Sequence, residues 1–283
     1  MLGHTLFRKL SIDSSLDVSA TVRSVKELSD GLSADQMKKL CRNVDIFQID
    51  SLVKVFAEVK PDVVINCIGI IKQLPEAQDP LTTITINALL PHRIALLCAA
   101  AGSQMIHISS DCVFDGEMGG YTENVATNAT DLYGKTKFLG EVVSPHCITL
   151  RTSIIGHELK GSNGLVEWFL SQEKKVKGYR RAVYSGFSTV ELSRIISDYV
   201  IPNSELSGLY HVSSNPISKY ELLKLINDQY GKKIEIEPEE SFRSDRSLDS
   251  SKFRSLTGYT PPTWTEMVRG MYKDYLQGPY QNG

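Results

Sequence analysis

The run Asp62-Val63-Val64-Ile65-Asn66-Cys67-Ile68 constrains the fold more than any other feature of the chain. It is apolar without alternation, the pattern of a strand buried on both faces, and such strands belong to parallel sheets covered by helices. Short β-branched runs of this kind alternate with longer helical patterns through the first two-thirds of the sequence. Leu2–Leu10 reads as a helix, Asp17–Val22 as a strand, Ser33–Leu40 as a helix, Val44–Ile49 as a strand and Ser51–Val59 as a helix before Pro61. After the 62–68 strand come a long helix, Thr82–Ala101, closed by Gly102, and a strand, Met105–Ser109. A helix over Leu132–Val143 and a strand over Cys147–Arg151 follow. The rhythm predicts an α/β fold with a doubly wound, mostly parallel sheet.

Beyond about residue 156 the rhythm loosens. Gly156–Gly164 reads as a loop, Leu165–Gln172 as a short helix, Val190–Tyr199 as amphipathic, Gly208–Val212 as a short strand and Ser218–Tyr230 as a helix. Two portions are expected: residues 1–155, with a segment near 185–213 packing back on them, and a smaller α/β portion, 156–283, able to close over a cleft.

Lysine and arginine total 31 against 33 acidic residues, a net charge of −2, and a nucleic-acid binder would carry a strongly basic face instead. No apolar run approaches the ~18 residues of a membrane span; the longest, around Ile94–Gly102, is cut off by Pro91, His92 and Arg93. The start, Met1-Leu2-Gly3-His4, lacks a signal-peptide pattern. A cytoplasmic protein with neither nucleic acid nor membrane as partner is expected. The five cysteines are scattered without a C-x-x-C pair and the six histidines form no H-E-x-x-H cluster, so neither a disulfide framework nor a metal site is expected.

Chemistry concentrates at the strand ends. Tyr133 and Lys137 stand at i and i+4 on one face of their helix. An ammonium beside a phenol pulls its high pKa of ~10 toward neutrality. Taken alone this pair also fits an exposed aromatic–lysine contact. Its surroundings favour function: upstream a strand ends in Ser109-Ser110-Asp111, and downstream another ends in Arg151-Thr152-Ser153. The 62–68 strand passes from Asn66 and Cys67 to Gly69, whose missing side chain permits close approach of a ligand.

With these motifs the sequence resembles the extended short-chain dehydrogenase/reductases, and within them the dTDP-4-dehydrorhamnose reductase (RmlD-like) sugar-nucleotide reductases. The likeness runs over essentially the whole chain. It rests on Met1-Leu2-Gly3 as the end of a G-x-x-G-x-x-G turn, Asn66–Gly69 with Asn87, and Ser109-Ser110-Asp111 followed by Val113-Phe114-Asp115-Gly116. Tyr133/Lys137 and Arg151-Thr152-Ser153 complete it, with Gly208–Val212 and Ser247-Leu248-Asp249 as looser matches. The resemblance implies a Rossmann domain in residues 1–155 and a substrate-binding portion after it. It implies that Ser110 binds a substrate carbonyl oxygen, Tyr133 protonates it, and Lys137 lowers the Tyr133 pKa while holding the nicotinamide ribose. Gly3, Arg23, Ser24, Asp50, Asn66, Cys67, Gly69, Asn87, Ser109 and Arg151 would line the cofactor with Tyr133 and Lys137. Arg23, with Ser24 and Lys26, stands where NAD binders carry an acid, favouring NADP over NAD; a solvated surface arginine is the alternative there. Asp50 would face the adenine. Lys72, Asp111, Asn163 and Arg246 would meet a sugar-nucleotide substrate, and a homodimer is an assembly the resemblance allows.

The departure lies at the start. A Rossmann domain opens with a central strand and a glycine-rich turn, whereas this chain opens with the helix after them, and an internal methionine as the written start would explain it. The implied function is NADPH-dependent reduction of a 4-keto-6-deoxy sugar nucleotide. A 4-epimerase of the same superfamily and a non-catalytic regulatory subunit are the alternatives. A dehydratase ranks lower, because Cys112 occupies the position of its second acid.

Overall fold

Parallel strands run through the middle of the molecule in the computed structural model, which describes residues 1–24 and 32–280. The first half contributes β1 (Ala20–Val22), β2 (Leu40–Arg42), β3 (Val63–Asn66), β4 (Gln104–Ser110) and β5 (Cys147–Thr152). Between them run α1 (Leu2–Leu10), α2 (Ala34–Lys38) and α3 (Ile49–Val59), then α4 (Pro80–Thr83), which passes through a π turn, Ile84–Leu89, into α5 (Leu90–Ala101). The helix α6 (Leu132–Leu139) joins β4 to β5.

The second half adds β6 (Ile154–Ile155), α7 (Leu165–Leu170), β7 (Lys175–Tyr179), β8 (Ala182–Tyr184), β9 (Phe187–Ser188) and α8 (Thr189–Ile195). It closes with β10 (Gly208–His211), β11 (Ile217–Ser218), α9 (Lys219–Gln229), β12 (Glu235–Glu239), β13 (Ser244–Asp245), α10 (Ser251–Thr257) and α11 (Trp264–Gln277). The main sheet has the order β10-β5-β4-β3, all parallel. The late strand β10 (Gly208–His211) therefore packs back beside β5.

Both faces of the sheet are covered. On one, Leu2, Leu6 and Leu10 of α1 pack with Leu192 and Ile195 of α8, Met267 and Met271 of α11, and Ile148 and Leu150 of β5. On the other, Leu52 of α3 and Leu90, Ile94 and Cys98 of α5 pack on Met105 and Cys147. That arrangement is the expected doubly wound one. The sheet is divided, however: β1 and β2 form a parallel pair of their own, with no hydrogen bonds to β3. The β3 residues Val63, Val64 and Ile65 are correspondingly only half-buried.

Three expectations need correction. The second short strand is Leu40–Arg42, not Val44–Ile49: Asp45 accepts a hydrogen bond from the Phe47 backbone at 3.0 Å, turning the chain, and Ile49 already opens α3. The first strand is confined to Ala20–Val22. The helical stretch Pro80–Ala101 is 22 residues long and apolar enough, by length and composition, to cross a membrane, although 44% of its most apolar window is buried inside the fold.

Candidate functional site

The carboxyl end of β4 presents its residues alternately to opposite faces, as any strand must. Ser110 turns toward Tyr133. Its hydroxyl donates to Asp111 at 3.2 Å, accepts the Cys112 backbone N–H at 3.1 Å and lies beside the Tyr133 hydroxyl. Ser109 turns the other way and donates to Glu141 at 2.7 Å.

Tyr133 is carried by α6, which Asp131 caps by accepting from the Gly134 backbone at 2.8 Å. Two glycines let this helix sit close. A Cβ on Gly134 would strike the Cys112 carbonyl, and one on Gly140 would strike the Asn87 carbonyl in the π turn. One turn beyond Tyr133, Lys137 is buried and donates its Nζ to the Ile108 carbonyl at 2.8 Å.

The electrostatics run against the sequence expectation at Tyr133. Burial, with the nearby Cys112 and Asp111, pushes its phenol above the ordinary value, opposed by the Ser110 hydroxyl. Burial likewise brings Lys137 down to about 8, against the pull of Glu141 and Cys67. Asp111, buried beneath Ser110, is raised by desolvation, with Ser153, Cys112 and Arg246 working against it. The group is thus a protonated phenol and a serine hydroxyl, two donors able to converge on one oxygen, with an ammonium behind them.

A second feature lies toward the carboxyl ends of β1 and β2. A cleft of about 470 Å³ is lined by Arg23, Ser24, Asp45, Ile46, Ile68 and Ile86, among others, and by Leu159 and Lys160 from the loop after β6. Its Ile68 adjoins Cys67, which is close enough to Lys137 to feel its charge. The two features are therefore neighbours. An adenosine with a phosphorylated ribose fits the cleft chemically: apolar walls, the two hydroxyls of Thr21 and Ser24, one carboxylate and two cations. Gly3, expected at the cofactor, lies against Cys67, whose thiol burial pushes up to about 12.

Several expected ligands are committed elsewhere. Asp50 is an exposed residue of the first turn of α3, and Asp45 lines the cleft instead. Arg151, with its side chain only 4% exposed, forms a two-pronged pair with Glu141 at 2.7 Å and reaches His211 at 3.2 Å. With Ser109 it belongs to a buried network between β4, β5 and β10, away from the cleft. Asn66 holds its own turn, Oδ1 accepting from Ile68 at 3.1 Å and Nδ2 lying 3.2 Å from a His107 ring nitrogen. Asn87 clamps Ile70 through both its backbone groups, at 2.8 and 3.0 Å, and the bare Gly69 makes room for it.

On the substrate side, Lys72 pairs with Asp131 at 2.7 Å at the start of α6. Asn163 is exposed on the loop whose Leu159 and Lys160 line the cleft. Arg246 does lie near Ser110: its Nε donates to the Phe114 carbonyl at 2.8 Å and its charge reaches Asp111, Asp115 and Asp131. Lys26 lies outside the described residues. The Phe114-Asp115 motif is a packing device. Phe114 stacks on Tyr121 at 4.1 Å between ring centres, and Asp115 accepts the Tyr121 hydroxyl at 2.7 Å.

Sheet order and cleft together define a Rossmann-like α/β protein. The chain belongs to the RmlD substrate binding domain family, whose family model matches residues 1–277. It is 33% identical to a methionine adenosyltransferase 2 subunit beta of Xenopus laevis over 84% of this chain and 71% of that one. It is 28% identical to the spore coat polysaccharide biosynthesis protein SpsK of Bacillus subtilis, over 78% of this chain and 81% of that one. Its fold matches a crystal structure of dTDP-4-dehydrorhamnose reductase from Bacillus anthracis in complex with NADP, with a TM-score of 0.72 and 21% identity, covering 90% of this chain and 98% of the other.

Proposed function

We propose that the protein reduces a 4-keto-6-deoxy sugar nucleotide with NADPH, in the manner of dTDP-4-dehydrorhamnose reductase. The observation that carries this is the Ser110–Tyr133 hydroxyl pair, with the phenol held protonated by its burial. Reduction of a ketone needs a proton on the carbonyl oxygen as well as a hydride, and a protonated phenol is the correct form to give one. Ser110 holds the carbonyl oxygen, Tyr133 donates the proton to it, and Lys137 contributes positive charge as the phenolate forms. NADPH, when bound, supplies the hydride. Arg23, Ser24 and Lys160 hold the adenosine end, and Asp45 takes the place foreseen for Asp50.

Cys112 supports reduction over dehydration. Its thiol, pushed up to about 12 by burial, is no acid at neutral pH. The test is NADPH consumption with dTDP-4-dehydrorhamnose, compared with NADH. A protein that binds NADPH yet turns over no keto sugar nucleotide would sink the reading.

The second reading is a non-catalytic subunit. It is favoured by the 33% identity to the methionine adenosyltransferase subunit. Stable co-elution with a methionine adenosyltransferase catalytic subunit, together with no reductase activity, would establish it.

A further inference from the structure

Ser109, Arg151 and His211 stand opposite one another on three neighbouring strands, β4, β5 and β10. A row of polar side chains thus crosses the buried middle of the sheet. Arg151 donates to both carboxylate oxygens of Glu141 at 2.7 Å and lies 3.2 Å from the His211 ring. Ser109 adds a third bond to Glu141, also at 2.7 Å. The His211 ring rests in turn on the Tyr121 carbonyl at 2.9 Å, and its backbone N–H donates to Glu123 at 2.8 Å. Burying a carboxylate and a guanidinium is expensive, and packed apolar side chains would join the strands as well. Stability alone is a poor reason for the pair.

Glu141 stands four residues beyond Lys137, just past the end of α6, so both side chains return to the same strand. Consecutive residues of β4 receive them. The Ile108 carbonyl accepts from the Lys137 ammonium at 2.8 Å, and the Ser109 hydroxyl donates to Glu141. Burial lowers the Lys137 pKa, and the Glu141 charge works against it. The other groups near Lys137 carry no charge that could replace it. The Cys67 thiol, just after β3, is pushed up to about 12 by burial even with the amino terminus nearby, and stays neutral. His107 of β4, which faces both Lys137 and His92, is driven well below its ordinary value by burial and stays neutral too. Tyr133, one turn earlier on α6, is a phenol.

We propose that Glu141 is a positioning residue: locked by Ser109 and Arg151, its carboxylate holds Lys137 as a cation behind Tyr133. The assignment rests on the reduction reading, in which Lys137 supplies that charge as the phenolate forms. Arg151 serves by aiming the carboxylate, since its guanidinium meets Glu141 and not Lys137. His211 serves by aiming Arg151.

Lysine side-chain NMR reads the Lys137 titration without turnover, its signal identified by its loss in Lys137→Gln. The wild type should titrate at about 8. Glu141→Gln should bring the midpoint to about 7 or lower, the scale on which a neighbouring opposite charge acts. That change strands the Arg151 charge, so Glu141→Gln/Arg151→Gln carries the test if the single variant does not fold. The double variant leaves no buried charge unpaired, keeps hydrogen-bonding groups at both positions, and should lower the midpoint in the same direction. His211→Gln, which loosens the row but keeps the Glu141 charge, should reduce thermal stability and leave the midpoint in place. A folded double variant that titrates with the wild type overturns the proposal, as does a midpoint that His211→Gln moves equally. The alkaline limb of NADPH-dependent turnover should follow the midpoint in each variant. A midpoint that moves in a protein with no reductase activity at any pH fails the reduction reading alone.

Discussion

In the proposed reduction, proton supply comes down to two side chains with opposite shifts. Tyr133 is pushed above its ordinary value, so it stays a phenol through the working range. Lys137 is brought down to about 8, so it is charged below that pH and neutral above it. Turnover should therefore decline as pH rises through about 8, and the limb belongs to the lysine. In Lys137→Arg, whose guanidinium keeps its proton, the limb should vanish. A limb near 10, unmoved by that change, would assign it to the phenol instead. Tyr133→Phe should cost ~10²–10⁴ in kcat, the usual contribution of a positioned acid, with cofactor affinity little changed. The carboxylates at the cleft are as separable. Asp45→Ala should weaken NADPH binding about tenfold, the scale of one charge-assisted hydrogen bond, whereas Asp50→Ala should not. Equal effects in calorimetry would mean that the wrong acid has been placed in the cleft.

Among the elements, α6 is the one on whose position the proposed reduction depends. Gly134 lies against the Cys112 carbonyl, and the loop bearing that carbonyl begins at Ser110. Gly134→Ala should thus force helix and strand end apart, costing ~1–3 kcal/mol of stability as overpacking does, and turnover should fall further than stability explains. Chemical denaturation and kcat measured together check this, and a stable variant with full activity would refute it. Such closeness also explains what sequence reading caught. Ser110, Tyr133 and Lys137 declare themselves because their relation is local: a strand end, and two residues one helical turn apart. Asp45 does not, because it reaches the cleft only through segments brought together from distant parts of the chain. Arg151 misled for the mirror reason, since its motif gave no sign that Glu141 would claim it. The strands β3, β4 and β5 were legible in their short apolar and β-branched runs, unbroken in β3 and interrupted by His107 and Thr149 in the other two. Leu40-Cys41-Arg42 was not, being short and ending in a charge.

At the scale of the whole molecule, the division of the sheet sets where the protein is firm. β4 and β5 are paired on both sides and buried, whereas β1 and β2 have only each other. Two-stranded pairs are marginal in water. Backbone amides of Ala20–Val22 and Leu40–Arg42 should then exchange with solvent at least ~100-fold faster than those of Ile106–Ile108, reflecting local opening. Equal protection in native-state hydrogen exchange would show that the two sheets behave as one. The return of β10 to the side of β5 has a further consequence, for synthesis. The residues of β5 are all buried in the finished fold, yet their outer neighbour is made only after the whole intervening stretch from β6 to α8 has been translated. Until Gly208–His211 leaves the ribosome, β5 is a bare edge carrying Arg151 without His211, and a nascent chain stalled in that interval offers its neighbours a strand to pair with.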